Sequence, residues 1–307
     1  MKLNTGLDLV EMQALMAVVE TGSVSIAANR LGVTKSVVSK RISELEKKLH
    51  VELFRRLPRK MLVTDTGQRL YERVRQILTE LQAAADEVRG GEQRIQGQLR
   101  IAAPISFGVR YLGAVLAPVL KQHPTLEVAI DLDDRSVDLL GNGYDLGVRV
   151  GQSSTPSLIQ RRLTTIELWI CASPEYLKTH GVPRYIDELP NHVCVGYAHL
   201  AGGQVWNFQT KRGLKPVRVP TRWVANNGEL MLLAAEQGLG LVMLPDCLVS
   251  DAVSQGRLKR VLAKAEAVPT SLNVLFPKDR QKNPAVRLIV ETLATAFVKP
   301  SWQSKHN

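Results

Sequence analysis

The chain has 307 residues, 45% apolar and 22% charged, which is enough for two or three domains of a soluble globular protein. It lacks the run of about 20 apolar residues that would span a bilayer. Asp8, Glu11 and Glu20 interrupt the N-terminal apolar residues, so a signal peptide is not expected and the expected compartment is the cytoplasm.

Cys171, Cys194 and Cys247 are odd in number, widely spaced and outside any CxxC, which argues against a disulfide framework or a zinc site. The reading they favour is three packed thiols. The formal net charge is +11, and its distribution carries more information than its size. Residues 30 to 60 hold ten Lys/Arg against three acids, a local net of +7. So dense an excess points to a polyanion. Residues 97 to 307 also carry +7, 24 bases against 17 acids, but spread over 211 positions.

In chain order, Met12, Leu15, Met16 and Val19 have the spacing of a helix that buries one face. Gly22 ends it, and Ser23 is placed to cap a short second helix, "SVSIAANRL", in which Ala27 and Ala28 allow close approach. Gly32 sits where a left-handed helix end belongs, and Thr34 is placed to cap a third helix. Two helices joined by a short turn with Gly form a helix-turn-helix. In the third helix Val38, Ile42, Leu45 and Leu49 form the buried stripe, leaving Ser36, Lys40, Ser43 and Lys47 on the opposite side, with Val37 beside them. "VELFRR" and "KMLVT" then read as a small hairpin, or wing, around "LPR".

A helix with a small, polar, cationic face fits the DNA major groove. The candidate DNA-contacting residues are Ser23, Thr34, Lys35, Ser36, Val37, Ser39, Lys40 and Arg41 on the helices, with Arg55, Arg56, Arg59 and Lys60 in the wing. A solvated lysine face is the alternative for an isolated helix, but the preceding helix, the Gly turn and the basic hairpin together favour duplex DNA.

Residues 67 to 92 carry Leu70, Val74, Ile77, Leu81, Ala84 and Val88 at spacings of 4, 3, 4, 3 and 4, a 3.5-residue repeat suited to a dimerising coiled coil. An ordinary amphipathic helix is the alternative, since fewer than three heptads are present. "RGGEQRIQGQ" reads as a hinge. From residue 97 strand-like pieces ("LRIAAP", "LEVAIDL", "DLGVRV", "LWICAS", "VCVGY", "LNVLFP") alternate with helix-like ones ("FGVRYLGAVLAPVLKQHP", "SVDLLGNG", "GELMLLAAEQG", "AVRLIVETLATAFV"). That alternation predicts an α/β architecture with largely parallel pairing.

Enzyme readings find little support. GxSxG, HExxH, GxxxxGK[ST] and a strand-to-helix GxGxxG are all absent, the six histidines fall in no recognisable motif, and no metal site or cofactor is expected. A pure solute-binding module would not need residues 1 to 66, and an architectural DNA-binding protein would not need the α/β remainder.

"SVSIAANRLGVTKSVVSKRISELEKKLHVELFRR" followed by "LVTDTG" resembles the N-terminal signature of LysR-type transcriptional regulators. The match rests on Ala27 and Ala28, Ser39, Leu45 and Glu46, Leu53 and Phe54, and Thr64 with Gly67. "ASPEYL", "GLGLVMLP" and "DLGVRVG" extend it more loosely to the C-terminal part. The departures are His50, where the family usually has Gly, and Pro58 in the wing.

The resemblance implies an N-terminal winged helix-turn-helix domain (residues 1 to 66), a dimerising linker helix (67 to 92) and an effector-binding domain (93 to 307). The last resembles a periplasmic binding protein: two α/β subdomains, about 97 to 168 with 270 to 300, and about 169 to 269, joined by two crossover strands, with a small molecule in the cleft. It implies a ligand-responsive regulator that binds a partly palindromic operator as a dimer, assembles further to a tetramer, and has RNA polymerase as an expected further partner. The matching cleft positions are Pro104, Ile105, Ser106, Phe107, Arg149, Gly196, Tyr197, Asn226 and Asn227. Ser106, Asn226 and Asn227 fall at expected helix N-termini, which favour an anion such as a carboxylate, but they serve equally well as caps. Arg149 reads equally as a ligand clamp or a structural ion pair, and Asp131, Asp133 and Asp134 as a solvated loop.

Overall fold

A computed structural model describes residues 7–57, 60–88, 95–135, 137–199 and 204–303. The chain divides into two compact units, Met1–Arg94 with Leu140–Gly143, and Ile95–Leu139 with Tyr144–Asn307.

The first unit opens with three helices, α1 (Leu9–Thr21), α2 (Val24–Arg30) and α3 (Lys35–Leu49). Asp8 and Glu11 form a capping box at the start of α1, and Gly22, at φ 62°, ends it in the left-handed conformation that favours glycine. Val38, Ile42 and Leu45 of α3 pack with Leu15 and Val18 of α1 and with Ala27 and Ala28 of α2. Each large side chain so buried contributes about 2 kcal/mol. Leu49, expected in the same stripe, is half-buried. The wing is β1 (Phe54–Leu57) against β2 (Lys60–Val63), antiparallel, with Phe54 opposite Val63.

The long helix α4 (Asp65–Val88) follows. Its heptad positions do not all remain available to a partner. Val74 is 2% exposed inside the core of its own domain, with Leu70 packed against that core. The first turns of α4 thus supply the apolar cover that α1 needs, and Leu70 and Val74, read as seam residues, serve their own domain's core. Ile77 and Leu81 are 55% and 46% exposed. The side chains of Ala84 and Val88 lie outside the described residues.

The second unit contains β3 (Gly97–Ala103), α5 (Ile105–Phe107), a π-helical turn (Gly108–Leu112), α6 (Gly113–Gln122), β4 (Leu126–Leu132), β5 (Leu146–Val150) and β6 (Leu158–Ile166). It continues through β7 (Leu168–Ala172), α7 (Pro174–His180), a 3₁₀ turn (Ile186–Asn191), β8 (Cys194–Tyr197), β9 (Val205–Thr210), β10 (Gly213–Arg218), β11 (Thr221–Ala225), α8 (Gly228–Glu236), β12 (Leu241–Pro245) and α9 (Asp246–Ser254). It closes with β13 (Lys259–Val261), β14 (Glu266–Ala267), β15 (Thr270–Pro277) and α10 (Pro284–Ala296).

One five-stranded sheet runs β4-β3-β5-β15-β6 and a second runs β11-β8-β12-β7-β13, while β10-β9-β14 form a smaller sheet. The chain leaves the first sheet from β6 into β7 and returns through β15. β15 runs antiparallel to both β5 and β6. In the second sheet β7 is antiparallel to β12 and β13. The largely parallel pairing expected from alternation is therefore corrected to mixed sheets, because the two crossing strands enter each sheet against its other strands. "SVDLLGNG", read as a short helix, forms turns over its described part, Gly143 having φ 66°. Among the described residues no helix is long and apolar enough to cross a membrane.

Candidate nucleic-acid interface and effector cleft

Helix α3 presents Thr34, Lys35, Ser36, Lys40 and Ser43 to solvent, with Val37, Ser39 and Arg41 half-buried beside them. The Thr34 and Ser36 hydroxyls lie 2.9 Å apart. Neither Ser23 nor Thr34 makes the side-chain cap expected of it, although each occupies the N-cap position. At the end of α1 the hydroxyl of Thr21 accepts the Ser23 N–H and donates to the Ala17 carbonyl, so the turn is held without the Ser23 side chain.

Lys40 is 3.8 Å from Glu44, and 76% of its side chain is exposed, so this i,i+4 pair leaves the ammonium free to meet another group. Lys48 instead reaches inward to the buried carboxylate of Glu11, at 2.6 Å, and ties α3 to α1. That makes it part of the fold. In the wing Arg55 is exposed. The side chains of Arg56 and Lys60, and Arg59 entirely, lie outside the described residues.

The signature positions explain how the wing is held. The Glu46 carboxylate accepts the N–H groups of Leu53 and Phe54, at 2.8 and 3.1 Å, while both side chains enter the core. Thr64 donates to the Glu52 carbonyl and accepts the N–H of Gly67 at 3.0 Å, capping α4. A Cβ at Gly67 would come within 2.2 Å of the Leu53 carbonyl oxygen, so only glycine fits there. His50 ends α3 at φ 54°, a conformation that favours glycine.

In the second unit, Ile105, Ser106, Asp134, Tyr197 and Asn227 converge where the two five-stranded sheets approach. Asn227 caps α8, its carbonyl oxygen accepting the N–H groups of Glu229 and Leu230 at 3.0 and 3.2 Å. Its amide donates to Asp134 at 2.9 Å, and the same carboxylate accepts the Ile105 N–H at 3.0 Å. Asp134 therefore takes the anion position between the helix beginning at Ile105 and the cap of α8. This corrects its reading as a solvated loop residue. Ser106 is buried, with its hydroxyl 3.7 Å from where a Cβ on Gly228 would stand. Burial, and after it the Asp134 charge, raises the Tyr197 phenol above its ordinary pKa.

Other expected cleft residues are placed differently. Phe107 is buried in an aromatic cluster with Tyr111 and Phe297, at centroid distances of 5.6 and 5.1 Å. Gly196 makes room for Gln204, whose Oε1 would lie 2.4 Å from a Cβ there and whose amide brackets the Tyr197 backbone. Both are packed against neighbouring side chains in this structure. Pro104 precedes α5, its carbonyl accepting the Gly108 N–H at 2.8 Å. Asn226 is exposed after β11. Arg149 lies on β5 opposite Asn273, and burial lowers its pKa, partly offset by Asp138.

Two residues that the sequence pattern did not single out also join the halves. Arg110 makes a bidentate pair with Glu229, at 2.6 and 2.7 Å, and also donates to the Leu248 carbonyl at 3.1 Å. Tyr111 donates to the Cys247 carbonyl at 2.6 Å. Both lie in the π-helical turn, a feature common at functional sites. Arg110 is one helical turn after Ser106, and that spacing was the available signal. All three cysteines are free and buried, and burial pushes their thiols up to about 12.

Residues 92–298 match the family described as "LysR substrate binding domain", and residues 9–68 match "Bacterial regulatory helix-turn-helix protein, lysR family". The chain belongs to the LysR family of transcriptional regulators. Its relatives within the family include the "HTH-type transcriptional regulator DmlR" of Escherichia coli K12, 31% identical over 97% of this chain and 98% of the relative. The "HTH-type transcriptional activator TtdR" of Escherichia coli UTI89 is 31% identical over 92% of both chains. Among solved LysR-type structures, full-length CrgA of Neisseria meningitidis aligns with TM-score 0.59 and 27% identity over 98% of this chain and all of that one. ArgP of Mycobacterium tuberculosis aligns with TM-score 0.66 at 23% identity over 95% of this chain and 98% of its own, a likeness of fold. As a LysR-type regulator the chain is a DNA-binding protein with an effector-binding domain.

Proposed function

We propose that this regulator acts in the cytoplasm as a homo-oligomer on a partly palindromic operator and answers to a small anionic effector. The observation that carries the DNA reading is the outward face of α3, where small polar Ser36 and Ser39 flank the exposed Lys40 while Val38, Ile42 and Leu45 are buried. Small side chains let the helix approach base edges. Lys40 is within reach of a guanine edge, and Val37 can meet a thymine methyl. Arg55, with Arg56, Arg59 and Lys60, would hold phosphates from the wing. Exposed Ile77 and Leu81 on α4 suit a self-pairing seam that continues through Ala84 and Val88. Two such dimers would make a tetramer, and RNA polymerase would be the further partner at the promoter.

The anionic character of the effector rests on Asp134. The Ile105 N–H and the Asn227 amide already hold one carboxylate. A carboxylate effector that took over these donors, with Ser106 and Tyr197 close by, would release Asp134 and alter the contact between the halves. Footprinting of the full-length protein on its operator, with and without a panel of small carboxylates, tests this reading. A change in the protected length with one carboxylate, lost in Asn227→Ala, is expected. A footprint indifferent to every member would leave a DNA-binding protein without an anionic effector.

A further inference from the structure

The basic excess of the second unit looks diffuse along the sequence, but the fold concentrates part of it. From residue 189 to residue 228 the chain has no Asp or Glu and five Lys/Arg: Lys211, Arg212, Lys215, Arg218 and Arg222. Four of the five, all but Arg222, lie on the β9–β10 hairpin. Trp206, Phe208 and Val217 are buried on its inner side. Asn207, Gln209, Leu214, Pro216 and Arg218 are exposed, and the register places Gln209 opposite Leu214 and Asn207 opposite Pro216. Lys211 and Arg212 form the exposed tip. Exposed Lys264 enters the same end of the sheet, two residues before Glu266, which pairs with Gln209. Lys215 is set apart, since it pairs with Asp187 at 2.5 Å.

We infer that the outer face of the β9–β10 hairpin is a second contact for duplex DNA, gripping phosphates that flank the operator through Lys211, Arg212 and Arg218. The six residues of β10 give the array a length of about 20 Å at roughly 3.3 Å per residue. A duplex strand presents a phosphate about every 3.4 Å along its axis, so the array can meet several. Asn207 and Gln209 add the amide donors that commonly bond phosphate oxygens. The hairpin's aromatic side chains point inward and leave Leu214 and Pro216 as the outer apolar atoms, whereas a protein partner is normally anchored by buried aromatic or Arg hot spots. Pro216 removes an N–H from the edge strand β10, which suits contact through side chains over addition of a strand.

The inference rests on the operator-binding reading above, and one experiment separates the two. The full-length protein is titrated against its operator embedded in long flanks, over a range of salt concentrations. A triple variant, Lys211→Gln with Arg212→Gln and Arg218→Gln, should lower the slope of log affinity against log salt by about 2 to 3, at about 0.9 for each phosphate no longer neutralised. On an operator trimmed of its flanks the variant should match wild type. Lys215→Gln should leave the slope unchanged, and so should the charge-matched set Lys278→Gln, Lys282→Gln and Arg287→Gln.

Equal losses from both triple sets would reduce the effect to net charge and overturn the assignment. An unchanged slope in the hairpin variant would overturn it too. That holds also if transcription with RNA polymerase falls while the slope stays, because the face would then meet a protein. Wild-type protein that fails to bind any duplex would sink the operator reading itself. The side chains substituted in the two triple sets are all exposed, so a circular dichroism melt matching wild type confirms that these variants fold.

Discussion

The Arg110–Glu229 pair offers a quantitative test of how the effector domain is held together. Arg110→Ala removes a bidentate ion pair at 2.6 and 2.7 Å and the donor to the Leu248 carbonyl. Hydrogen bonds to charged groups are worth about 1.5–3 kcal/mol each when the partner is left buried, and exposed pairs under 1. The two side chains are 23% and 35% exposed, so the expectation lies between, at about 2 kcal/mol for the single variant. For a domain of this size each kcal/mol moves the midpoint by about 2–4 °C, so the effector-domain transition should fall by about 4–8 °C.

The decisive quantity is the coupling. Arg110→Ala, Glu229→Ala and the double variant, unfolded in urea, should give an interaction energy of about 1–2 kcal/mol. Arg110→Ala alone should cost more than the double variant would suggest by addition, because it strands the Glu229 carboxylate. Strict additivity, within about 0.3 kcal/mol, would refute the pair as a tie between the halves.

Three further outcomes follow from local geometry. His50→Gly should stabilise the DNA-binding domain by about 0.5–1 kcal/mol, since it relieves a left-handed residue at φ 54° at some cost in unfolded-state entropy; an equal or lower denaturation midpoint would contradict this. Burial raises the Asp246 carboxyl from 3.8 to about 6, so the folded state holds more protons than the unfolded one across that window. Stability should therefore fall as pH rises from 4 to 6, by about 2–3 kcal/mol in all, and Asp246→Asn should remove that fall in pH-dependent urea melts; superimposable wild-type and variant profiles would contradict it. Leu81→Asp places a charge at an exposed seam position and should dissociate the dimer in analytical ultracentrifugation; an unchanged sedimenting species would remove the coiled-coil role of α4.

The DNA-binding half was largely readable because its determinants are local. Val38, Ile42 and Leu45 set the inside of α3 by spacing alone. Glu46, Leu53, Phe54, Thr64 and Gly67 lie within twenty-one residues of one another, and their contacts hold the wing. The errors there have local causes too. Thr21, not Ser23, supplies the hydroxyl at the α1–α2 turn, and Val74 satisfies both a heptad and the cover that α1 requires.

The effector half was readable as α/β but not in its strand directions. β15 pairs with strands more than 100 residues earlier, and no periodicity announces that. The cleft was half legible. Asn227 and Ser106 stand at helix starts, as their types suggested. Asp134 looked like a surface acid because its partner Asn227 lies 93 residues away, and the Arg110–Glu229 pair, 119 residues apart, left no local signal.

The central claim is that the outward face of α3 reads base edges. Selection of bound duplexes from a random pool by the full-length protein, repeated with Lys40→Ala, tests it most directly. Wild type should recover two inverted half-sites. The variant should lose about 1–3 kcal/mol on that site and relax its preference at one base pair per half-site. Affinity that falls equally on every sequence would contradict the claim and make Lys40 a phosphate contact.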